Sequence, residues 1–293
     1  MCCDLRVTLG VCVRNCEGLI EETIRSIINQ NFPHKAMEII FVDDGSQDRT
    51  LSVIQKLLLN LDIPAKVFHH AWKGLGTTRN VVVSHAEGEH IIWVDCDMSL
   101  HKNFVMKQVA FMDANPRVGI AKGRYGARAQ ASLAGELENM EFMVTGSRPK
   151  EKINSVPLGT GGAIYRVEAI RGVNGFDPSI TGSGEDVDAE YRIKGAGWLL
   201  DLTSAVFYER RRTSWRALWN EYYWHGEGSS SLFRKDRRII DSRKLWPPII
   251  LIVESLRVAM AYKLTGRKVA LLLLFHYIFK RTAWVLGFIR RRL

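Results

Sequence analysis

The sequence predicts an α/β protein, with a mostly parallel sheet flanked by helices and amphipathic or membrane helices at the C-terminal end. Three observations predict this. Over the first two hundred residues, short β-rich runs alternate with segments whose apolar residues recur at helical spacing. Polar residues rich in acids fall directly after those β-rich runs. The last third is at once basic, aromatic and apolar.

Taken in order, Val7 to Val13 is a short β-rich run, and Ile20, Ile24, Ile27 and Ile28 follow at helical spacing. Glu38 to Val42 is a second strand. Thr50 to Leu61 is a helix with apolar Leu51, Ile54, Leu57, Leu58 and Leu61. Lys66 to His69 gives a third strand, Thr77 to His85 a helix, and Ile91 to Val94 a fourth strand. Strands separated by helices of this length are βαβ units, which form parallel sheets. Ligands of such sheets sit beyond the carboxyl ends of the strands. Asn15, Asp43-Asp44 and Asp95-Cys96-Asp97 all fall at those ends.

A chain of 293 residues can bury a large core and carry an appendage. The expected division is a catalytic domain over 1–208, a basic aromatic segment over 209–245 and membrane-associated helices over 246–293. All five cysteines (Cys2, Cys3, Cys12, Cys16, Cys96) lie in the first hundred residues, without zinc-type spacing. Reduced thiols in a cytosolic compartment are expected. Met1 to Arg6 has no long apolar stretch, so no signal peptide is expected. Residues 201–293 hold 19 Lys and Arg against 7 Asp and Glu, whereas residues 1–200 hold 22 against 24. The basic clusters flank apolar stretches, which fits anionic headgroups better than nucleic acid.

Each motif has a chemical reading and a plain one. In an extended segment residues i and i+2 point the same way, so Asp95 and Asp97 could reach one hard cation and the phosphates it carries. Acids after strands also cap helices or close turns. Asp44 at a strand end can accept a base N–H, although Asp44-Gly45 is a turn signal in its own right. Gly74-Leu75-Gly76-Thr77-Thr78-Arg79-Asn80 permits close backbone approach to a nucleotide, with Arg79 near phosphate or base. It also reads as a helix start capped by Thr77 or Thr78. Glu185, Asp186 and Asp188 open a helix, where acids offset the dipole. The glycine-dense stretch from Leu158 to Tyr165 could let a sugar pack against backbone, or start a bulged strand.

Four motifs in order resemble family 2 glycosyltransferases of the GT-A, Rossmann-like fold. They are Val-Asp-Asp-Gly-Ser-x-Asp-x-Thr at 42–50, Gly-x-x-x-x-Arg-Asn at 74–80, Asp-x-Asp at 95–97 and Gly-Glu-Asp at 184–186. The resemblance covers roughly residues 5 to 210. It implies nucleotide contacts from Val13, Asn15, Glu17, Asp44, Arg79 and Asp95, with Asp97 holding Mn²⁺ or Mg²⁺ on the diphosphate. It also implies Asp186 as the base that deprotonates the acceptor, and Glu185 as a residue positioning the acceptor or nearby backbone; Asp188 is read as helix surface. One departure is visible: the family often has proline before the first-loop Asn, and here the segment reads Val13-Arg14-Asn15-Cys16-Glu17.

Trp215, Trp219 and Tyr222 or Tyr223 share one helical face, suited to a bilayer interface or to core packing. Asn220 to Trp224 is similar to a degenerate Gln-x-x-Arg-Trp element, and only Trp224 carries over, as an acceptor contact. Residues 246–262 and 269–289 are apolar but interrupted by charges, and the clean run Val269–Phe279 reaches 11 residues. That falls short of the roughly 20 needed to span. Helices lying in the interface are expected over a crossing hairpin.

The resemblance and the charge pattern together imply an inverting, metal-dependent hexosyltransferase at the cytosolic membrane face. Its donor would be a nucleotide diphosphate sugar, with a lean to GDP-mannose, and its acceptor lipid-linked. A sugar nucleotidyltransferase, or a membrane-bound scaffold without catalysis, are the alternatives.

Overall fold

The computed structural model describes residues 5–59, 61–128, 132–146, 157–180, 182–239 and 247–290. Cys2, Cys3 and the first residue of the expected 246–262 segment fall outside these. The chain forms two compact units, one of residues 1–124, 150–181 and 185–209, the other of 125–149, 182–184 and 210–293.

The first unit opens with β1 (Val7–Val13), α1 (Ile20–Ile28), β2 (Met37–Asp44) and α2 (Thr50–Leu58). It continues with β3 (Ala65–His70), α3 (Leu75–His85), β4 (His90–Trp93), β5 (Met98–Leu100) and α4 (Phe104–Ala114). β6 (Val118–Tyr125), β7 (Ala163–Arg166), α6 (Val167–Gly172), α7 (Glu185–Gly195) and β8 (Leu199–Glu209) complete it, α5 (Leu133–Gly146) lying in the second unit.

The sheet runs β3-β2-β1-β4-β7-β6-β8-β5. Its first four strands are parallel, as the βαβ alternation predicts. β7 is antiparallel to both β4 and β6, and β5 to β8. β2 is buried along its whole length, which suits a central strand covered on both faces. Register aligns Val13 with Asp43, Asp43 with His69, and Asp44 with His70, so the motif residues share one sheet edge. Gly10 keeps β1 flat against its cover: a Cβ there would meet Val82 at 2.8 Å and the Trp93 ring at 2.9 Å.

The second unit is helical. α8 (Trp215–Lys235), α9 (Pro247–Thr265) and α10 (Leu273–Arg290) belong to it together, so the segments expected separately as 209–245 and 246–293 share one unit. Leu137, Met140 and Val144 of α5 pack with Ala261, Ala270 and Leu273. The aromatic face of α8 packs against α10, with the Trp215 and Trp219 rings each 5.2 Å from Phe279. Core packing is therefore what this face does here. Gly226 and Gly287 sit where a Cβ would run into the Trp284 and Tyr223 carbonyl oxygens, so glycine lets the two backbones touch.

Inside the unit, Lys280 donates to Glu138 and Glu141 at 2.5 Å each, and His276 Nε2 lies 2.9 Å from Glu138. Against the cost of burial, Lys280 and His276 hold the Glu141 carboxyl down to about 2. Lys268–Arg290 is long and apolar enough to cross a membrane, longer than the clean run read from the sequence.

Candidate active site

The loop after β1 and the loop after β2 are laced together. Asn15 sits at φ 50°, its N–H donating to Ser46 Oγ (2.9 Å) while its Oδ1 accepts from the Gln47 N–H (2.8 Å). Glu17 accepts from the Arg49 backbone and side chain, and its own N–H donates to Asp48. The Asn15 and Glu17 side chains, assigned to the nucleotide by resemblance, thus brace these loops, at the sheet edge where Val13 ends β1. Asp43 was not assigned a role from the sequence. It is buried, accepts from Ser46 and faces His69 Nδ1 at 2.8 Å.

Asp44 is buried too. Its two oxygens accept from the backbone N–H groups of Lys73 (2.7 Å) and Gly74 (3.1 Å). That bond fixes the start of the glycine motif, where Gly74 adopts φ 86° and neither Thr77 nor Thr78 caps the helix. Thr78 Oγ1 instead donates to the Gly74 carbonyl.

The end of that motif reaches the opposite side of the site. Asn80 clamps the Phe176 backbone, donating to its C=O (2.7 Å) and accepting its N–H (2.8 Å). Arg79 is only 6% exposed and pairs with Glu185, itself 2% exposed, beside the Trp93 and Phe176 rings. Burial opposes the Arg79 charge, but Glu185, Asp186 and Asp95 outweigh it and keep the guanidinium firmly protonated. Burial likewise pushes Glu185 up to about 7 against the pull of Arg79. Glu185, expected to position the acceptor or nearby backbone, is the first residue of α7 and is in ion-pair contact with Arg79. The Arg79 head is occupied by the same contact.

Asp186 follows, half-buried in the first turn of α7. Asp188, expected on the surface, is 1% exposed and accepts from Arg192 at 2.8 Å. The helix turns this acid inward because Arg192 one turn later reaches back to it.

Asp95 and Asp97 occupy the turn between β4 and β5, closed by the Met98 N–H donating to the Asp95 carbonyl. The backbone here is a tight turn, where an extended segment was expected. Both acids are half-buried. Asp95 Oδ2 stands 2.6 Å from where a Gly161 Cβ would be, and Asp186 Oδ2 stands 3.4 Å from that of Gly159. One glycine stretch therefore borders both carboxylates. It is held by Glu190, which accepts from the Leu158 (3.0 Å) and Gly159 (2.5 Å) N–H groups, and by Lys122, which donates to the Leu158 carbonyl. Burial pushes Glu190 up to about 7. Nothing in the local sequence marks Lys122 or Glu190, since their role depends on a distant loop. The all-oxygen pair Asp95 and Asp97, beside space that only glycine leaves open, fits a hard divalent cation such as Mn²⁺ or Mg²⁺.

At the outer rim, Arg14 lies over the Trp72 ring at 5.5 Å, and Trp72 is 53% exposed. Trp224, the expected acceptor contact, is exposed on α8 in the second unit.

Parallel strands that end in acids at one sheet edge, and a further acid on a following helix, define an α/β fold with a candidate site at that edge. The chain belongs to glycosyl transferase family 2, whose profile matches residues 8–173. It is 34% identical over 99 residues to the poly(ribitol-phosphate) beta-N-acetylglucosaminyltransferase TarS of Staphylococcus aureus, covering 34% of this chain and 17% of that one. It is 26% identical over 227 residues to the probable glycosyltransferase YdaM of Bacillus subtilis, covering 74% and 53%. The chain thus spans about half or less of these two relatives. Among solved structures, the mannosyltransferase PcManGT of Pyrobaculum calidifontis, in complex with GDP-Man and Mn²⁺, superposes with TM-score 0.69 at 17% identity over 98% of this chain and 87% of that one. S. aureus TarS 1–349 with UDP gives 0.53 at 18% identity, covering 98% and 91%. These likenesses show a shared GT-A fold.

Proposed function

We propose that the chain is an inverting, metal-dependent glycosyltransferase that moves a hexose from a nucleotide diphosphate sugar to a lipid-linked acceptor at the cytosolic face of the cell membrane. The observation that carries this reading is that Asp95 and Asp186 both border one glycine stretch, with Asp97 two residues after the first. A nucleoside diphosphate leaves poorly until its charge is neutralised, and a divalent cation held by Asp97, with Asp95 facing the nucleotide, would supply that neutralisation. Asp186 stands free of the Arg79 contact that occupies Glu185, and it takes the acceptor proton. The strand-end loops carrying Val13, Asn15, Glu17 and Asp44 shape the nucleotide edge, with Arg79 behind them. Trp224 offers an aromatic face to the acceptor.

The donor favoured is GDP-mannose, in keeping with the GDP-Man and Mn²⁺ held by PcManGT. TarS complexes hold UDP, so the base is the point to test. Thermal stabilisation by GDP against UDP with Mn²⁺ present reads it directly. A shift with GDP supports the reading, and a UDP-only shift replaces the donor.

The membrane part rests on the second unit. α10 turns His276 and Lys280 inward and leaves Leu271, Phe275, Ile278, Val285 and Ile289 exposed around it and its lead-in turn. A helix apolar on one side and ion-paired on the other suits the interface plane, with its basic ends at anionic headgroups. Carbonate extraction separates this arrangement from a crossing: partial release is expected, and full retention would mean a span.

A further inference from the structure

We propose that a cavity between the helices of the second unit binds the phosphate of an anionic membrane lipid, held by Arg257, Arg281 and the Tyr277 hydroxyl. The inference deepens the membrane part of the reading above, rests on it, and is independent of the transfer chemistry.

Helices α5, α8, α9 and α10 enclose a cavity of about 140 Å³. Its polar lining comes from Glu141 of α5, Glu254 and Arg257 of α9, and Tyr277, Lys280 and Arg281 of α10. The two acids are already matched by bases. Glu141 accepts from Lys280 at 2.5 Å. Glu254 is buried and accepts from Arg257 Nη1 with both oxygens, at 2.9 and 3.1 Å. Arg281 stands 3.7 Å from Glu254, beyond hydrogen-bond reach, so among the described lining groups its charge is the surplus one.

Tyr277 adds a second unmet group. It is 5% exposed, lines the cavity, and its hydroxyl has no hydrogen-bond partner among the described residues. A buried hydroxyl without a partner costs free energy. The Arg257 guanidinium lies 5.9 Å from the same ring, and Glu254 engages only its Nη1. Surplus positive charge beside an unmet hydroxyl calls for an anion with several acceptor oxygens. A phosphate fits, taking paired N–H groups from guanidinium and the hydroxyl proton on another oxygen.

Size and surroundings say what carries that phosphate. The cavity is well below the roughly 300–1,000 Å³ of pockets that enclose a drug-sized ligand. It therefore takes one group and leaves the rest of the molecule outside. Arg257 and Arg281 are partly exposed and form the mouth. One helical turn to either side of Arg257 stand Val253 and Met260, and to either side of Arg281 stand Ile278 and Val285, all four exposed. A free phosphate gains nothing from such a rim, whereas the hydrocarbon of a lipid covers it.

The full chain is floated at fixed salt with vesicles of phosphatidylcholine, alone and with phosphatidic acid added, and its melting temperature is followed with inorganic phosphate. The wild type should bind the phosphatidic acid vesicles in preference. Tyr277→Phe keeps every charge and removes a hydroxyl without a partner, so it should melt no lower than the wild type yet bind about tenfold more weakly. Arg281→Gln should lose more than the few-fold that Lys263→Gln, an exposed charge near the end of α9, loses through general headgroup attraction. Equal losses in these two charge variants, with none in Tyr277→Phe, would overturn the site. A melting temperature raised by inorganic phosphate in the wild type and not in Tyr277→Phe, without preference between vesicles, would assign the cavity to free phosphate and overturn the lipid. Binding to neither vesicle would overturn the site and the membrane reading together, while nucleotide binding reads the transferase separately.

Discussion

Arg79 and Glu185 form a buried ion pair that joins the glycine motif at the start of α3 to the first residue of α7. Asn80 makes the neighbouring tie to Phe176. The Gly-x-x-x-x-Arg-Asn motif is thereby a bracket that holds the first residue of α7 and the Phe176 backbone.

Removing one member of a buried pair leaves the other charge uncompensated, at a cost of about 3–5 kcal/mol. Arg79→Met should lose about that much at pH 8 and less at pH 5, because Glu185 left alone can take up a proton. Glu185→Gln removes a carboxyl that takes up a proton on folding, so its loss should be larger at pH 5 than at pH 8. Urea unfolding at the two pH values checks both. Losses below about 1 kcal/mol in each would mean a solvent-screened pair.

Glu185 and Glu190 both titrate near pH 7 in the fold, against 4.5 for an ordinary glutamate. The folded state then binds more protons than the unfolded chain between these values, so stability falls as pH rises from about 4.5 through 7. Their stabilising contribution is complete below that window and gone above it. Glu190→Gln should flatten the decline in chemical-denaturation free energy across the window. An unchanged slope would show that Glu190 is not buried as an acid.

The glycine stretch offers two contrasting substitutions. In Gly161→Ala the new Cβ meets the Asp95 carboxylate tip, which can shift, so metal-dependent nucleotide binding should weaken with the melting temperature little changed. In Gly162→Ala it meets the Phe207 ring at a backbone with φ 70°, so stability should fall by about 1–3 kcal/mol. Calorimetry and nucleotide titration on both proteins distinguish the effects. Equal losses of stability would contradict this account of Gly161.

In the second unit, Gly226→Leu should separate α8 from α10, because no rotamer avoids the Trp284 carbonyl. The expected readout is a drop in helical circular dichroism with nucleotide binding kept. A stable, fully helical variant would show that the backbones do not touch there.

The parallel half of the sheet was legible because its signals are local: β2 is a continuous apolar run, and its acids follow at once. The positions of Asp95, Asp97, Asp186 and the motif order were legible for the same reason. What Arg79 and Asp44 hold was not, because their partners, Glu185 and the 73–74 backbone, lie far off in sequence. Asp188 looked like surface because three acids at a helix start normally face water; it is buried and paired with Arg192, one turn later on the same helix. Trp215 and Trp219 suited a bilayer interface by their aromatic, basic setting, and their packing on Phe279 was not legible because α10 lies some sixty residues on.

Transfer itself is the most direct test. Radiolabelled GDP-mannose and UDP-sugars are incubated with the full chain, Mn²⁺ and extracted membrane lipids, alongside Asp97→Ala and Asp186→Asn. The account predicts label in the organic phase with the wild type. It predicts lost metal-dependent donor binding with Asp97→Ala, and retained donor binding without transfer with Asp186→Asn. Near-normal transfer by Asp186→Asn, or no label from any donor with the wild type, would contradict it.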